Sequence, residues 1–198
     1  MKKFFFNLFY LLLSLPVGVV YFTVLVTGFA LGAGLSITLI GLPILFGMIF
    51  MTYLLADFER SFTALLLGLE IVKPEARPVE SGSTFALLAV QLRDWNFWRQ
   101  FIYLTLKMPL GIVTFTLAVT LPSVSLALLA APIIISRFPL VDYMVMGASR
   151  VDTMGEALIA CAGGVVFGVL SMFILNGLAW VMGRFARWSL GATSVKPA

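Results

Sequence analysis

The sequence contains no histidine, only one cysteine and few charged residues, and each shortage excludes a kind of chemistry. Without histidine there is no imidazole base for a Ser or Cys triad, no common zinc ligand set and no phospho-accepting histidine. A single cysteine, Cys161, excludes an intrachain disulfide. The sequence also has no glycine-rich phosphate loop, CxxC pair or HExxH motif. We therefore expect no enzyme, no cofactor, and no catalytic or metal site.

What the chain has in excess is apolar side chains. Of its 198 residues, 61% are hydrophobic and 11% are charged, and the mean hydropathy is +1.08. A soluble domain is typically about half apolar and about a quarter charged. One aqueous core could not bury this much apolar surface, so we expect an all-α integral membrane protein. Its main partner is then the lipid bilayer, and no nucleic acid is expected.

Long uncharged stretches predict about four membrane spans. No charged residue occurs between Phe4 and Ala56, and a helix needs about 20 residues to cross about 30 Å of hydrocarbon. Small residues from Gly28 to Gly34 predict a turn. Val124–Ser136 is too short to cross alone, and a re-entrant piece, an interfacial piece and the return half of a broken helix all stay open. The predicted spans are Asn7–Leu31, Leu35–Ala56, Phe101–Leu121 and Glu156–Met182.

The most polar segment, residues 57–100, predicts two amphipathic helices around a proline-containing linker. In the first helix, apolar residues recur at helical spacing on a face that excludes the charged residues Asp57, Glu59 and Arg60. Span two should therefore continue as a helix to Gly68. The apolar face of the first helix consists of Phe58, Phe62, Leu65 and Leu66, and that of the second of Phe85, Leu88, Leu92 and Trp95. A collar on the membrane surface and a partner-docking surface are equally good interpretations of this pair.

Basic residues predict the orientation, because they are enriched in short cytoplasmic loops. With four spans, only Arg137 and Arg150 fall on the outer side. We therefore expect a multi-pass protein of the plasma membrane with both termini in the cytoplasm and the 137–155 loop outside. The basic residues on the inner side are Lys2, Lys3, Arg60, Lys73, Arg77, Arg93, Arg99, Arg184, Arg187 and Lys196.

The chain also repeats itself. Residues 10–27 align with residues 103–120 at ten identities in eighteen positions, including Pro16 with Pro109 and Gly18 with Gly111. A weaker sequence similarity relates residues 55–68 to residues 178–191. We interpret the chain as one membrane domain built from two parallel helical hairpins. Its predicted parts are half-repeat 1 at 4–68, a cytoplasmic linker at 69–84, half-repeat 2 at 85–191 and a tail at 192–198.

Several short motifs, in this order and spacing, resemble the putative sensor family of bacteria and archaea. They cover residues 8–192 and include Ser14–Phe22, Ile40–Pro43, Leu67–Ile71, Trp98–Tyr103, Lys107–Gly111, Val151–Thr153 and Asn176–Ala179. The resemblance implies a four-span module that is often N-terminal to sensor histidine kinases. This chain has no kinase histidine. Action through a separate partner and excision from a longer protein both stay open.

Two groups of residues are candidates for function. In the group expected to couple signals, Lys107 lies about two turns into span three, and an interfacial snorkelling anchor is favoured over a ligand or coupling role. The other members of this group are Phe58, Arg60, Arg184 and Arg187. The second group, expected to sense a signal at the outer loop, is Arg137, Asp142, Tyr143, Arg150, Asp152 and Glu156. For Asp152, Thr153 and Glu156, capping of span four is favoured over sensing.

These observations support three functions. The first is a sensory or regulatory module that passes an envelope or membrane signal to a separate signalling or membrane protein, with a homodimer as an open possibility. The second is a small transporter or channel subunit, although the spans hold few ionisable residues. The third is a scaffold without a ligand.

Overall fold

The computed structural model describes residues 2–38, 40–69, 71, 93–137, 144–145, 149–150 and 154–191. Across these residues the chain forms four long helices, which confirms the predicted all-α class. The helices are α1 (Lys2–Gly34), α2 (Gly41–Leu67), α3 (Trp95–Arg137) and α4 (Met154–Leu190). A short 3-10 helix, Leu35–Thr38, follows α1, and a two-residue antiparallel ladder joins β1 (Met144–Val145) to β2 (Ser149–Arg150).

All four helices are long and apolar enough to cross a membrane. Large apolar side chains point outward along them: Phe50 is 63% exposed and Leu65 is 77% exposed. In water such surfaces would be unstable, whereas acyl chains solvate them at no cost. The chain is therefore a multi-pass membrane protein, as its composition predicts.

The first turn lies later than predicted. Residues 28–34 are helical, and the connection between α1 and α2 begins only at the 3-10 helix that starts at Leu35. Glycine is used here for close packing instead, because a Cβ at Gly28 or Gly32 would overlap Met48 or Leu45 of α2. The predicted turn at 28–34 is wrong, because Gly28 and Gly32 serve close packing of α1 against α2.

The third span is also longer than predicted. α3 is one helix of 43 residues that continues through Pro122 and Pro132 to Arg137, so the separate short segment predicted at 124–136 does not exist. At 1.5 Å per residue α3 is about 65 Å long, about twice the hydrocarbon thickness. Proline is tolerated in membrane helices because neighbouring groups satisfy the freed carbonyls.

The C-terminus of α2 lies where the sequence predicts it. The helix ends at Leu67, and Gly68 adopts φ 64°, from which its N–H donates to the Ala64 carbonyl at 3.0 Å. Glycine occupies this left-handed position without a Cβ penalty. The second amphipathic helix predicted around residues 85–92 lies outside the described residues.

The chain divides into two compact units. The first comprises residues 1–115 and 179–198, and the second comprises residues 116–178. In the first unit all four helices contribute to one buried core, with Tyr21 and Leu25 from α1, Ala56 from α2, Tyr103 and Leu104 from α3, and Ala186 and Leu190 from α4. In the second unit Gly164 of α4 packs against Leu128, and the Ser125 hydroxyl donates to the Gly164 carbonyl at 3.0 Å.

Candidate functional site

A carboxylate lies at the centre of the first unit. Glu59 and Thr63 of α2 are fully buried, whereas Phe58 and Leu65 on the opposite side are 55% and 77% exposed. The helix predicted after residue 56 is therefore present, but its predicted apolar face is divided: Phe58 and Leu65 point outward, whereas Leu66 is buried and Phe62 packs against Tyr10. Lipid is a favourable environment for the exposed Phe58 and Leu65, whereas a carboxylate is favoured inside the bundle, away from lipid.

Lys107 of α3 forms an ion pair with Glu59. Its Nζ contacts Glu59 Oε1, and neither side chain is exposed at all. A snorkelling lysine would extend to the membrane surface, so the snorkelling interpretation of Lys107 is wrong. The pair joins α2 to α3 inside the bundle, where charge is retained only when it is paired.

Three hydroxyl groups complete the coordination of the carboxylate. Tyr21 of α1 donates to Glu59 Oε2 at 3.1 Å, and Tyr103 of α3 donates to Oε1 at 3.0 Å. Thr63, one turn further along α2, donates to Oε1 at 3.4 Å. Glu59 therefore holds α1, α2 and α3 together through charge-assisted hydrogen bonds, which are roughly twice as strong as neutral ones.

Aromatic rings surround the lysine ammonium group. Lys107 Nζ lies 5.3 Å from the ring centroid of Tyr10, 5.7 Å from that of Tyr21 and 5.3 Å from that of Phe62. These distances allow cation–π attraction, which is stronger where water is excluded. One carboxylate and three aromatic rings thus form an aromatic cage, and the chain's own lysine occupies it.

Two glycines bring α1 and α3 close enough for these contacts. A Cβ at Gly18 would lie 2.7 Å from the Lys107 carbonyl oxygen, and a Cβ at Gly111 would lie 2.8 Å from the Ser14 carbonyl oxygen. Both distances are shorter than real Cβ contacts, so only glycine permits this crossing. The two contacts are reciprocal, and they join the two Pro-x-Gly motifs that the sequence repeats.

The residue after Glu59 connects the site to the end of α4. The Arg60 side chain is 8% exposed, and its Nε donates to the Leu190 carbonyl at 3.0 Å. Its guanidinium also forms an ion pair with Asp57. A cation is favourable at a helix C-terminus, where carbonyls have no partner within the helix. Two consecutive residues of α2 thus have different partners: Glu59 belongs to the buried ion pair, and Arg60 contacts the last turn of α4.

Other residues predicted to couple signals lie on the surface. Phe58 packs edge-on against Tyr21, with ring centroids 6.5 Å apart, and Arg184 and Arg187 are exposed on α4. Lys107 contacts Glu59, which precedes Arg60 on α2. Arg184 and Arg187 have no contact with the ion pair among those described.

The residues predicted to sense a signal are only partly described. Arg137 is exposed at the end of α3, and Glu156 is exposed in the first turn of α4, where its charge suits the helix dipole. Arg150 pairs through its backbone with Met144 in the ladder. Asp142, Tyr143, Asp152 and the predicted cap Thr153 lie outside the described residues.

Sequence reasoning missed Glu59 and the tyrosines around it. The missed signal is spacing: Tyr10, Ser14 and Tyr21 recur on one face of an otherwise apolar α1 at intervals of four and seven residues. Polar residues at these intervals in a membrane helix mark the side that faces protein. Glu59 follows predicted span two and Lys107 lies near the start of predicted span three, so these opposite charges fall on the same side of the membrane and suit a pair.

These features define a class of protein: a multi-pass helical membrane protein whose described core encloses a buried ion pair. The family model described as "Putative sensor" matches residues 10–190, and the chain belongs to this family. The resemblance noted in the sequence is thereby confirmed. No curated protein and no solved structure matches the chain.

Proposed function

We propose that the chain is a membrane sensory or regulatory module whose resting state is held by the Glu59–Lys107 ion pair. Membership of the putative sensor family supports this function at the coarse level. The single observation that carries the finer proposal is the complete burial of both charges between α2 and α3. An ionisable pair inside a membrane bundle is costly, and such groups are typically functional.

The ion pair suits a two-state element. With its partner in place each charge is satisfied, and without it each is a buried charge in low dielectric. Any signal that separates α2 from α3 must therefore overcome a steep, short-range attraction. The states on either side of such a barrier are discrete, which is a requirement for switching.

The contact of Arg60 with Leu190 supplies a route toward a partner. A rotation of α2 that removes Glu59 from Lys107 would also move Arg60 relative to the end of α4. On this proposal the ends of α2 and α4 change together and present the signal to a separate signalling or membrane protein. The orientation expected from the basic residues places both ends in the cytoplasm.

The proposal is tested in the native host with chromosomal variants Glu59→Gln and Lys107→Met. We expect both to insert and to shift the host transcript profile in the same direction without a stimulus, because each breaks the same ion pair. Lys3→Met, which removes an exposed charge, is the matched control and should leave the profile unchanged. If both variants insert stably and leave the transcript profile as in the wild type, the ion pair has no role in signalling.

A small transporter or channel subunit is the second candidate. The sequence argued against it because the spans hold few ionisable residues, yet two of those residues form a buried pair surrounded by tyrosines. Carboxylates and lysines inside bundles also occur in proton and ion pathways. Proteoliposomes loaded with a pH-sensitive dye distinguish the two: proton flux above empty vesicles that Glu59→Gln abolishes would favour transport.

A further inference from the structure

The C-terminal part of α4 carries a cleft that the ion pair does not use. It has a volume of about 290 Å³ and is lined by Leu69, Trp180, Gly183, Arg184, Arg187 and Trp188. Gly183 forms part of its floor, where a Cβ would lie 2.6 Å from Leu69 Cδ1. This volume is just below the usual range of small-molecule pockets, so it suits a headgroup and not a whole ligand.

The chemistry of the cleft is cationic and aromatic. Two of its lining residues are arginines, and none of the described residues lining it is acidic. The Arg184 guanidinium lies 5.3 Å from the Trp180 ring centroid, and the Arg99 guanidinium lies 5.0 Å from that of Trp188. Stacking orients a guanidinium and leaves its N–H groups free to donate. Arginine forks match phosphate oxygens in a bidentate manner.

The position of the cleft indicates where its phosphate comes from. Trp180 and Trp188 are 63% and 65% exposed at the end of a membrane-spanning helix, and tryptophan is enriched at headgroup depth. Val181, between them, is 52% exposed and provides an apolar surface beside the arginines. A ligand that contacts both surfaces must be amphipathic, which a lipid is and a soluble anion is not.

A buried guanidinium adds to this attraction. Arg99 is 9% exposed, and its Nε has no hydrogen-bond partner among the residues that the structure describes. Its guanidinium is stacked on Trp188, which lines the cleft, and no acidic side chain of the described residues pairs with it. Basic pockets of this kind between membrane helices bind anionic headgroups.

We propose that this cleft binds the phosphate of an anionic phospholipid. The inference is independent of the sensory function, because none of the cleft residues contacts Glu59 or Lys107 in the contacts described. It places Arg184 and Arg187 in lipid recognition, in addition to the coupling role expected from the sequence.

The experiment measures binding of phosphatidylglycerol and phosphatidylcholine to the purified full chain in detergent by native mass spectrometry. We expect the wild type to retain phosphatidylglycerol, and Arg184→Gln/Arg187→Gln to bind it about ten- to thirty-fold more weakly. The matched control, Lys3→Gln/Arg137→Gln, removes the same charge elsewhere and should bind as the wild type does. Thermal melting of each variant shows that the fold persists.

Two results would overturn the proposal. Equal loss of phosphatidylglycerol in the arginine variant and the control would show that binding follows net charge alone. Displacement of the lipid by millimolar inorganic phosphate or glycerol phosphate would show that the cleft is a site for soluble anions. Retention of the lipid under the same phosphate supports the lipid assignment.

Discussion

At the scale of single residues, the presence of the Glu59–Lys107 pair is not explained by a gain in stability. Replacing a buried ion pair by apolar residues of similar volume is often neutral or stabilising, whereas removing one partner leaves an uncompensated charge. The carboxylate also accepts from Tyr21 and Tyr103, so its loss leaves two buried hydroxyls without an acceptor. The site is therefore an arrangement in which each member depends on the others.

We predict a strongly non-additive double-mutant cycle at this pair. Lys107→Met and Glu59→Leu should each lower the free energy of unfolding by about 3–5 kcal/mol, because each strands a charge or its donors in the bundle. The double variant should be more stable than either single variant. Thermal unfolding in detergent measures the three values, and additive losses would contradict the coupling of the two residues.

Single residues were also the scale at which the sequence was least informative. A lone lysine near the start of an apolar run has two physically reasonable positions, the interface and the interior. Only the partner decides between them, and Glu59 is 48 residues away. The apolar face predicted for the start of the 57–100 segment is divided in the structure, because Phe58 and Leu65 are exposed whereas Leu66 is buried, and a periodic pattern alone does not distinguish lipid-facing from core-facing apolar residues. Arg60 was chosen as a coupling residue, but its contact with Leu190 depends on how the helices pack.

At the scale of elements, the crossing of α1 and α3 is the contact on which the aromatic cage depends. Tyr10 and Tyr21 come from α1, and Lys107 and Tyr103 come from α3. Gly18 and Gly111 set the distance between these helices, since each lies against the other helix's backbone. Small residues at such crossings are the usual means of close approach in membranes.

We predict that alanine at this crossing destabilises the protein while alanine elsewhere does not. Gly18→Ala and Gly111→Ala should each cost about 1–3 kcal/mol, because a methyl group there overlaps backbone that cannot move aside easily. Gly47→Ala is the matched control, since a Cβ at Gly47 has nothing within 4 Å. It should be neutral or slightly stabilising, as alanine is the better helix former. Melting temperatures compare the three, and equal effects would contradict the packing role.

Elements were predicted well in number and less well in extent. The lengths of the uncharged stretches correctly predicted four helices, and Gly68 correctly predicted where α2 ends. The turn at 28–34 was misplaced because small residues serve both turns and close helix packing. The break at 122–124 was misplaced because Pro122 and Ser123 suggest an interruption in water, whereas a membrane helix continues through them.

At the scale of the whole molecule, an even number of spans places both ends of the chain on one side of the membrane. The helices that could cross number four in the described part of the chain. Lys3 near the start of α1 and Arg184 near the end of α4 should then share a side, opposite Ser36 in the 3-10 helix. From the distribution of basic residues we expect the shared side to be the cytoplasm.

We predict this arrangement for labelling with a membrane-impermeant maleimide. In a Cys161→Ala background, single cysteines at Lys3 and Arg184 should react only after cells are permeabilised, and a cysteine at Ser36 should react in intact cells. Labelling of all three from one side would contradict the topology. The two parallel half-repeats stay a prediction, which the reciprocal contacts of Gly18 and Gly111 support.

The ion pair also has a consequence for biogenesis. A ribosome finishes α2 before it begins α3, so Glu59 reaches the insertion machinery while its counter-charge has not yet been synthesised. Until then, either Glu59 lies unpaired in hydrocarbon or the last turns of α2 remain in water. Synthesis of α3 supplies the counter-charge, so we expect Lys107 to be needed for stable insertion of the α1–α2 hairpin as well as in the finished protein.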